Sequence, residues 1–369
     1  MRQKQCAARV RDIEISAIRK LFESAGPGSI NLGLGQPDFD TPRHIKDAAI
    51  QAIEEGKTGY TGNMGIPELR TAICDKFRRE NQVSYEPGQV IVTAGASEAL
   101  HIIMQALVDE GDRVLFGDPG FVSYAALATL AGGRPEGVRL DERLHIDVEE
   151  AKEQMDGARI FVLNSPGNPT GAVESEASIR AIVEYANDAG VTVVSDEVYE
   201  HFIYGVKHWS AALFGEDVIT VNACSKTYAM TGWRLGYLAG PEEYVGECLK
   251  VHQYAQACAS SISQYAALAA YTGDQRPVGE MRHEYQARRD YFCDALRNLG
   301  FPFPLPEGAF YAFVPMNQEL IGRILNSGVV MVPGNAFGIN RPDYARMSYA
   351  TSRENLKEAV DRIRLALGE

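Results

Sequence analysis

Four stretches of this chain end an apolar run on a small or polar turn, and that repetition limits the possible fold more than any other feature. VIVTAGASEALHIIMQAL (90–107) passes from a strand pattern through a small-residue turn into an amphipathic helix. ARIFVLN (158–164) opens into SPGNPTG, VTVVSDEVYE (191–200) carries a carboxylate near its end, and DVITVN (217–222) runs into ACSKTY. Uninterrupted runs rich in Val and Ile suit strands buried on both faces. Alternating with helical patterns from about residue 43 to 270, they predict a mainly parallel sheet with helices on both faces.

In such a sheet, ligands bind beyond the carboxyl ends of the strands, so the residues just past each run are the candidates for chemistry. Lys226 follows the fourth run, where an amine can condense with a carbonyl. Asn168 is presented by the Pro- and Gly-fixed turn after the second. Asp196 and Tyr199 follow the third. Gly95, Ala96 and Ser97 offer backbone N–H groups and a hydroxyl at a helix N-terminus, a favourable seat for a phosphate. Each position taken alone has an ordinary reading: a surface lysine, a turn asparagine, a helix cap. Their convergence on one crevice favours the functional reading.

SPGNPTG, SDEVYEHFIYG, SKTYAMTGWRLGYLAGP and ARMSYATSRENL resemble the signature segments of class I aminotransferases, pyridoxal-phosphate enzymes of the aspartate aminotransferase superfamily that share fold type I. The resemblance runs from LGQPDFDTP to the last helix. It implies an α/β large domain with a mainly parallel sheet (43–275) and a smaller α+β domain built from 1–42 and 276–369. It also implies a homodimer with shared active sites.

By that resemblance Lys226 condenses with the cofactor and later shuttles a proton. For this its neutral form must be accessible, so nearby cationic character is expected to depress its pKa. Asp196 pairs with the pyridine nitrogen and keeps the ring electron-accepting, while Asn168 and Tyr199 hydrogen-bond the phenolic oxygen. Phe121 stacks on the ring, and Ser225 belongs to the cofactor-binding set. Arg234, with Gly95, Ala96 and Ser97, holds the phosphate; a planar guanidinium suits that bidentate contact. Tyr60 reaches the phosphate of the neighbouring subunit. Arg346 clamps the substrate α-carboxylate, with Asn168 and the backbone of Gly35 beside it. Many relatives carry Ser or Gly where Ala223 stands, so one hydroxyl contact worth about 1 kcal/mol is expected to be missing.

The substrates implied are an L-amino acid and a 2-oxo acid such as 2-oxoglutarate. Aspartate-specific relatives supply a cation to the distal carboxylate, and here Tyr254 and Ser97 occupy those places. A dicarboxylate would leave a charge poorly paired, at a cost of about a few kcal/mol if desolvated, so an aromatic or other uncharged donor is expected. EISAIRKLFE, GFVSY and SDEVYEHFIY are also similar to archaeal-type aromatic aminotransferases. Aspartate aminotransferase is the alternative. Racemases, carbon–sulfur lyases and aminocyclopropane-carboxylate synthases share the fold and the lysine.

Composition excludes several other classes. A net charge of −13 disfavours nucleic acid and anionic membrane as partners. No apolar segment reaches membrane length, and MRQKQCAARVRDIE lacks the apolar middle of a signal peptide, so a cytoplasmic protein is expected. The six cysteines (Cys6, Cys74, Cys224, Cys248, Cys258, Cys293) lack CxxC spacing, which suits reduced thiols. The seven histidines show no metal-binding pattern. EEGKTG has Gln51 where a phosphate-binding loop needs glycine, and Pro37 in NLGLGQPDFD favours an extended turn over a dinucleotide loop. A helix is expected at roughly 10–25, a largely helical run at 242–298, and short strands in PFPLPEGAFYAFVP, GVVMVPG and YARMSYA.

Overall fold

The computed structural model describes residues 28–368, together with Ala7–Arg11, Ile13 and Gly26. The expected N-terminal helix is seen only as Ala8–Arg11; apart from Ile13, the rest of 10–25, EISAIRKLFE included, lies outside the described residues, as does Cys6. Twelve strands follow in chain order: β1 Ile30–Asn31, β2 Val90–Thr93, β3 Arg113–Asp118, β4 Arg134–Arg139, β5 Ala158–Asn164, β6 Thr192–Asp196, β7 Val218–Ala223, β8 Gly236–Ala239, β9 Tyr311–Pro315, β10 Val329–Val330, β11 Val332–Pro333 and β12 Tyr344–Ser348.

Seven of these form the central sheet in the order β2-β8-β7-β6-β5-β3-β4. All pairs are parallel except those of β8, which runs antiparallel to both β2 and β7. Side-chain alternation divides the core. Ile91, Val114, Phe116, Ile160, Val162, Val194 and Val221 pack on one face with the helix Ala96–Leu107. Leu115, Phe161, Leu163 and Val193 pack on the other with Ile179, Ile182 and Val183 of the helix Glu176–Ala189. Burial on both faces explains why these strands read as continuous apolar runs. Ser175 caps that second helix by accepting the Ser178 N–H, and Asp147, Asn317 and Ser352 cap others in the same way.

Beyond the sheet come three helices, Glu242–Ala255, Ser261–Thr272 and Arg276–Asn298. They lead into a three-stranded antiparallel sheet, β11-β12-β9, and a separate parallel pair, β1 with β10. Two strand expectations need correction here. In PFPLPEGAFYAFVP only Tyr311–Pro315 is a strand; Pro302, Pro304 and Pro306 lack the N–H groups a ladder requires. GVVMVPG is two short strands in different sheets, separated by the buried Met331.

Candidate active site

The carboxyl ends of β5, β6 and β7 open onto one cavity of about 280 Å³. Its walls include Gly35, Ala96, Ser97, Phe121, Asn168, Asp196, Tyr199, Ser225, Lys226, Arg234 and Arg346. Lys226 sits in the short helix Cys224–Thr227, directly after β7. Its Nζ donates to the Gly35 carbonyl at 2.7 Å and lies 5.7 Å from the centre of the Tyr199 ring. Burial lowers its pKa to about 8, and Arg346 and Arg234 push the same way. Nearby cations thus depress it as expected, but removal from water, which the sequence did not suggest, is the larger cause.

Asp196 ends β6 and is 3% exposed. Burial raises its pKa to about 6, against the opposing hydrogen bond from Tyr124. The Tyr124 hydroxyl donates to Oδ2 at 2.7 Å and the Val198 N–H to Oδ1 at 3.4 Å. Asn164, at the end of β5, accepts the Asn168 N–H at 2.9 Å and donates to the Asp196 carbonyl at 3.0 Å, so it ties the two strand ends together. The Tyr199 and Tyr311 hydroxyls pair at 2.8 Å, and burial holds the Tyr199 phenol well above its ordinary pKa.

Arg346 enters from β12 and is 2% exposed. Nη1 donates to Asn168 Oδ1 at 2.8 Å and Nη2 to the Gly33 carbonyl at 2.6 Å. Tyr311 and Phe337 lie 4.4 and 4.9 Å from its guanidinium carbon, ring centre to carbon. Its Nε is buried without a partner among the described residues. Both acceptors are neutral, so the guanidinium charge is left for an incoming anion. Gly35 admits no side chain, because a Cβ there would stand 2.2 Å from the Tyr311 hydroxyl oxygen.

On the opposite wall the helix Ala96–Leu107 starts at Gly95 with no side-chain cap, leaving its first N–H groups free for an anion. Arg234 leans over this turn in a left-handed backbone conformation, φ 52°. It donates to the Thr231 carbonyl at 3.0 Å and the Ala94 carbonyl at 3.4 Å. Gly95 (φ 85°) is required twice: for its backbone conformation and because a Cβ would meet Arg234 Nη2 at 2.7 Å. Ala223 is buried at the end of β7 opposite Gly236 and offers no hydroxyl towards the cavity.

Tyr60 and Tyr254 do not line this chain's cavity; they are 90% and 89% exposed. Residues missed from sequence are Tyr124, Asn164 and Tyr311. Tyr124 stands one helical turn after Phe121, a spacing that signals a shared face. Glu197 and Glu200 are buried and do not line the cavity. Glu197, Glu200 and His208 could approach one ion, but Lys76 already bonds Glu200, with Asn81 and Asn222 completing its shell. The five described cysteines are free, and burial pushes the Cys224 thiol up to about 12, which leaves it inert. No helix among the described residues is long and apolar enough to cross a membrane.

Residues 27–363 match the family described as aminotransferase class I and II. The chain belongs to that family. This aminotransferase is 43% identical over 366 residues to the probable aspartate aminotransferase of Methanocaldococcus jannaschii, covering 96% of this chain and 97% of the relative. It is 40% identical to aromatic-amino-acid aminotransferase 2 of Thermococcus litoralis, covering 98% of each. The fold is that of the aspartate aminotransferase from Thermus thermophilus solved with maleate: TM-score 0.94, 36% identity, 99% of this chain and 100% of that one covered. Enzymes of this family depend on pyridoxal 5′-phosphate, and so does this aminotransferase.

The residues present fit that cofactor. The uncapped helix start and Arg234 suit its phosphate. The buried Asp196, whose side chain is bonded among the described residues by neutral donors alone, suits a protonated ring nitrogen. Lys226, with its lowered pKa, suits its aldehyde.

Proposed function

We propose that this aminotransferase exchanges the amino group of an aromatic or other uncharged L-amino acid with a 2-oxo acid such as 2-oxoglutarate. The observation that carries the reading is the buried Arg346 guanidinium, held among the described residues by neutral acceptors alone, near the Lys226 amine. It is an anion site adjoining a nucleophile, as an α-amino carboxylate requires.

When bound, the cofactor supplies an aldehyde for condensation and a ring that accepts electrons. Lys226 Nζ supplies the amine and moves the proton at the substrate Cα, with the Gly35 carbonyl orienting it. Asp196 holds the ring nitrogen protonated, and Tyr124 holds Asp196 in place. Asn168 and Tyr199 orient the phenolic oxygen, and Tyr311 supports Tyr199. Phe121 packs on the ring. Ala96, Ser97, Ser225 and Arg234 bind phosphate, with Gly95 giving the turn its shape. Arg346 binds the α-carboxylate, aided by Asn168 and the Gly35 backbone.

Among the described residues the cavity's cations are Lys226, Arg234 and Arg346, and each has a task above. That supports an uncharged donor. Aspartate is the second reading, favoured by relatives of that name in Methanocaldococcus jannaschii and Pyrococcus abyssi and by the maleate complex of the Thermus enzyme. The exposure of Tyr60 and Tyr254 supports a homodimer in which they reach the other subunit's site. The pairing of β1 with β10 supports a small domain of 1–42 and 276–369 beside a large one of 43–275. Free cysteines support a cytoplasmic setting.

The test is a half-reaction. The holoenzyme mixed with one amino acid, without oxo acid, should convert its cofactor to the amine form and release the matching oxo acid. Release of ammonia would instead point to a lyase, and stereochemical scrambling alone to a racemase.

A further inference from the structure

Glu98 lies one residue beyond Ser97 in the helix that begins at the phosphate turn. Its two oxygens are committed in opposite directions. Oε2 accepts the Ala94 N–H, and Oε1 lies 2.8 Å from His252 Nδ1. His252, from the helix Glu242–Ala255, has no exposed surface. Its other nitrogen, Nε2, lies 2.9 Å from the Asn63 carbonyl. Asn63 Nδ2 in turn donates to the Ala257 carbonyl at 2.6 Å.

The segment 60–66 is fixed on its other side as well. Gln264, fully buried, accepts the Ile66 N–H at 2.8 Å and donates to Thr61 Oγ1 at 3.0 Å. The Met64 carbonyl accepts the Val92 N–H from β2 at 3.0 Å. A continuous path of hydrogen bonds thus runs from the turn that lines the cavity, through Glu98 and His252, to the segment that presents Tyr60.

We propose that Glu98 and His252 are positioning residues for the phosphate seat: they lock the Ala94–Ser97 turn against the 60–66 segment and keep the Glu98 charge satisfied away from the anion. The proposal rests on the reading of that turn as the phosphate seat. A helix start binds an anion only while its N–H groups point together, and Glu98 fixes Ala94, whose carbonyl meets Arg234. A carboxylate this close to a phosphate repels it unless its charge is taken up elsewhere. His252 takes it up. Losing the imidazole leaves Glu98 Oε1 buried and unpaired beside the seat.

The experiment titrates cofactor-free protein with pyridoxal 5′-phosphate and with pyridoxal, which lacks the phosphate, in the parent, His252→Asn, Glu98→Gln and the double variant. His252→Asn should weaken the phosphate ester about tenfold or more, as loss of a charge-assisted hydrogen bond does, while pyridoxal changes less than about twofold. Glu98→Gln alone should bind the ester within about threefold of the parent, because the anion is gone and the shape is kept. The double variant should recover most of what His252→Asn loses. Equal losses for both ligands, no loss in His252→Asn, or no recovery in the double variant would overturn the relay. A parent that binds pyridoxal as tightly as its phosphate ester would overturn the seat itself.

Discussion

The Tyr124 hydroxyl donates to Asp196 Oδ2 at 2.7 Å, and both groups are buried at the carboxyl edge of the central sheet. Nothing in the chain's length separates these residues by accident: the helix carrying Tyr124 starts just beyond β3, and Asp196 closes β6, so the sheet itself brings them together. Tyr124→Phe keeps the ring and removes the donor. Because that hydrogen bond lowers the Asp196 pKa, its loss raises it further. The expected cost is about 1.5–3 kcal/mol, as for a hydrogen bond to a charged group, seen as a lower kcat and an acid limb of the pH–rate profile moved upward. An unchanged acid limb would show that Tyr124 is only packing.

Asp196 is a place where function opposes stability. Its folded pKa is raised from 3.8 to about 6, so the native state binds more protons than the unfolded chain between those values. Its ionised form therefore costs stability as pH rises through that window, fully above about 6. Cofactor-free Asp196→Asn should be more stable than the parent at pH 8, by up to about 3 kcal/mol for a shift of this size. The gap should shrink below pH 6 and close near pH 4. The same variant should be nearly inactive, since a neutral amide cannot hold a ring proton by charge. Thermal melting across pH, with a turnover assay, checks both halves.

Lys226→Ala should abolish transamination yet leave a folded protein that holds its cofactor without a covalent bond. In the parent, with a pKa of about 8, roughly a quarter of Lys226 is neutral at pH 7.5, against about one in a thousand for an unperturbed lysine. When cofactor-free protein is mixed with pyridoxal 5′-phosphate, the initial rate at which borohydride-trappable adduct forms should therefore rise with a midpoint near pH 8. Arg346→Ala, by removing a neighbouring cation, should move that midpoint upward.

Arg346→Ala should also raise KM and lower kcat/KM for every donor alike. Breaking a desolvated bidentate pair costs about 3–5 kcal/mol, which steady-state kinetics reads as roughly two to four orders of magnitude in kcat/KM. A loss confined to one class of donor would mean that Arg346 meets the side chain rather than the α-carboxylate.

The strands at 90–93, 158–164, 192–196 and 218–223 were legible because each is buried on both faces and ends in a turn of small or polar residues. Lys226, Asp196 and Asn168 were legible for the same reason, as polar groups just beyond apolar runs, whereas Arg346, in the middle of β12, was legible only through the family resemblance. The antiparallel direction of β8 was not, since GYLA is buried whichever way it runs. Tyr311 was hidden because the strand Tyr311–Pro315 is apolar on both faces; its contacts with Tyr199, Arg346 and Gly35 mark it as part of the site. Glu98 and His252 sit 154 residues apart, and no local pattern announces a pairing between two helices.

Donor preference is tested most directly by single-turnover mixing of holoenzyme with L-phenylalanine, L-tyrosine and L-aspartate in turn, following conversion of the cofactor to its amine form. With Arg346 proposed for the α-carboxylate and no further cation for a second carboxylate among the described cavity residues, phenylalanine and tyrosine should show the higher kcat/KM. A kcat/KM for aspartate well above both would contradict this and require a cation that enters the cavity from elsewhere.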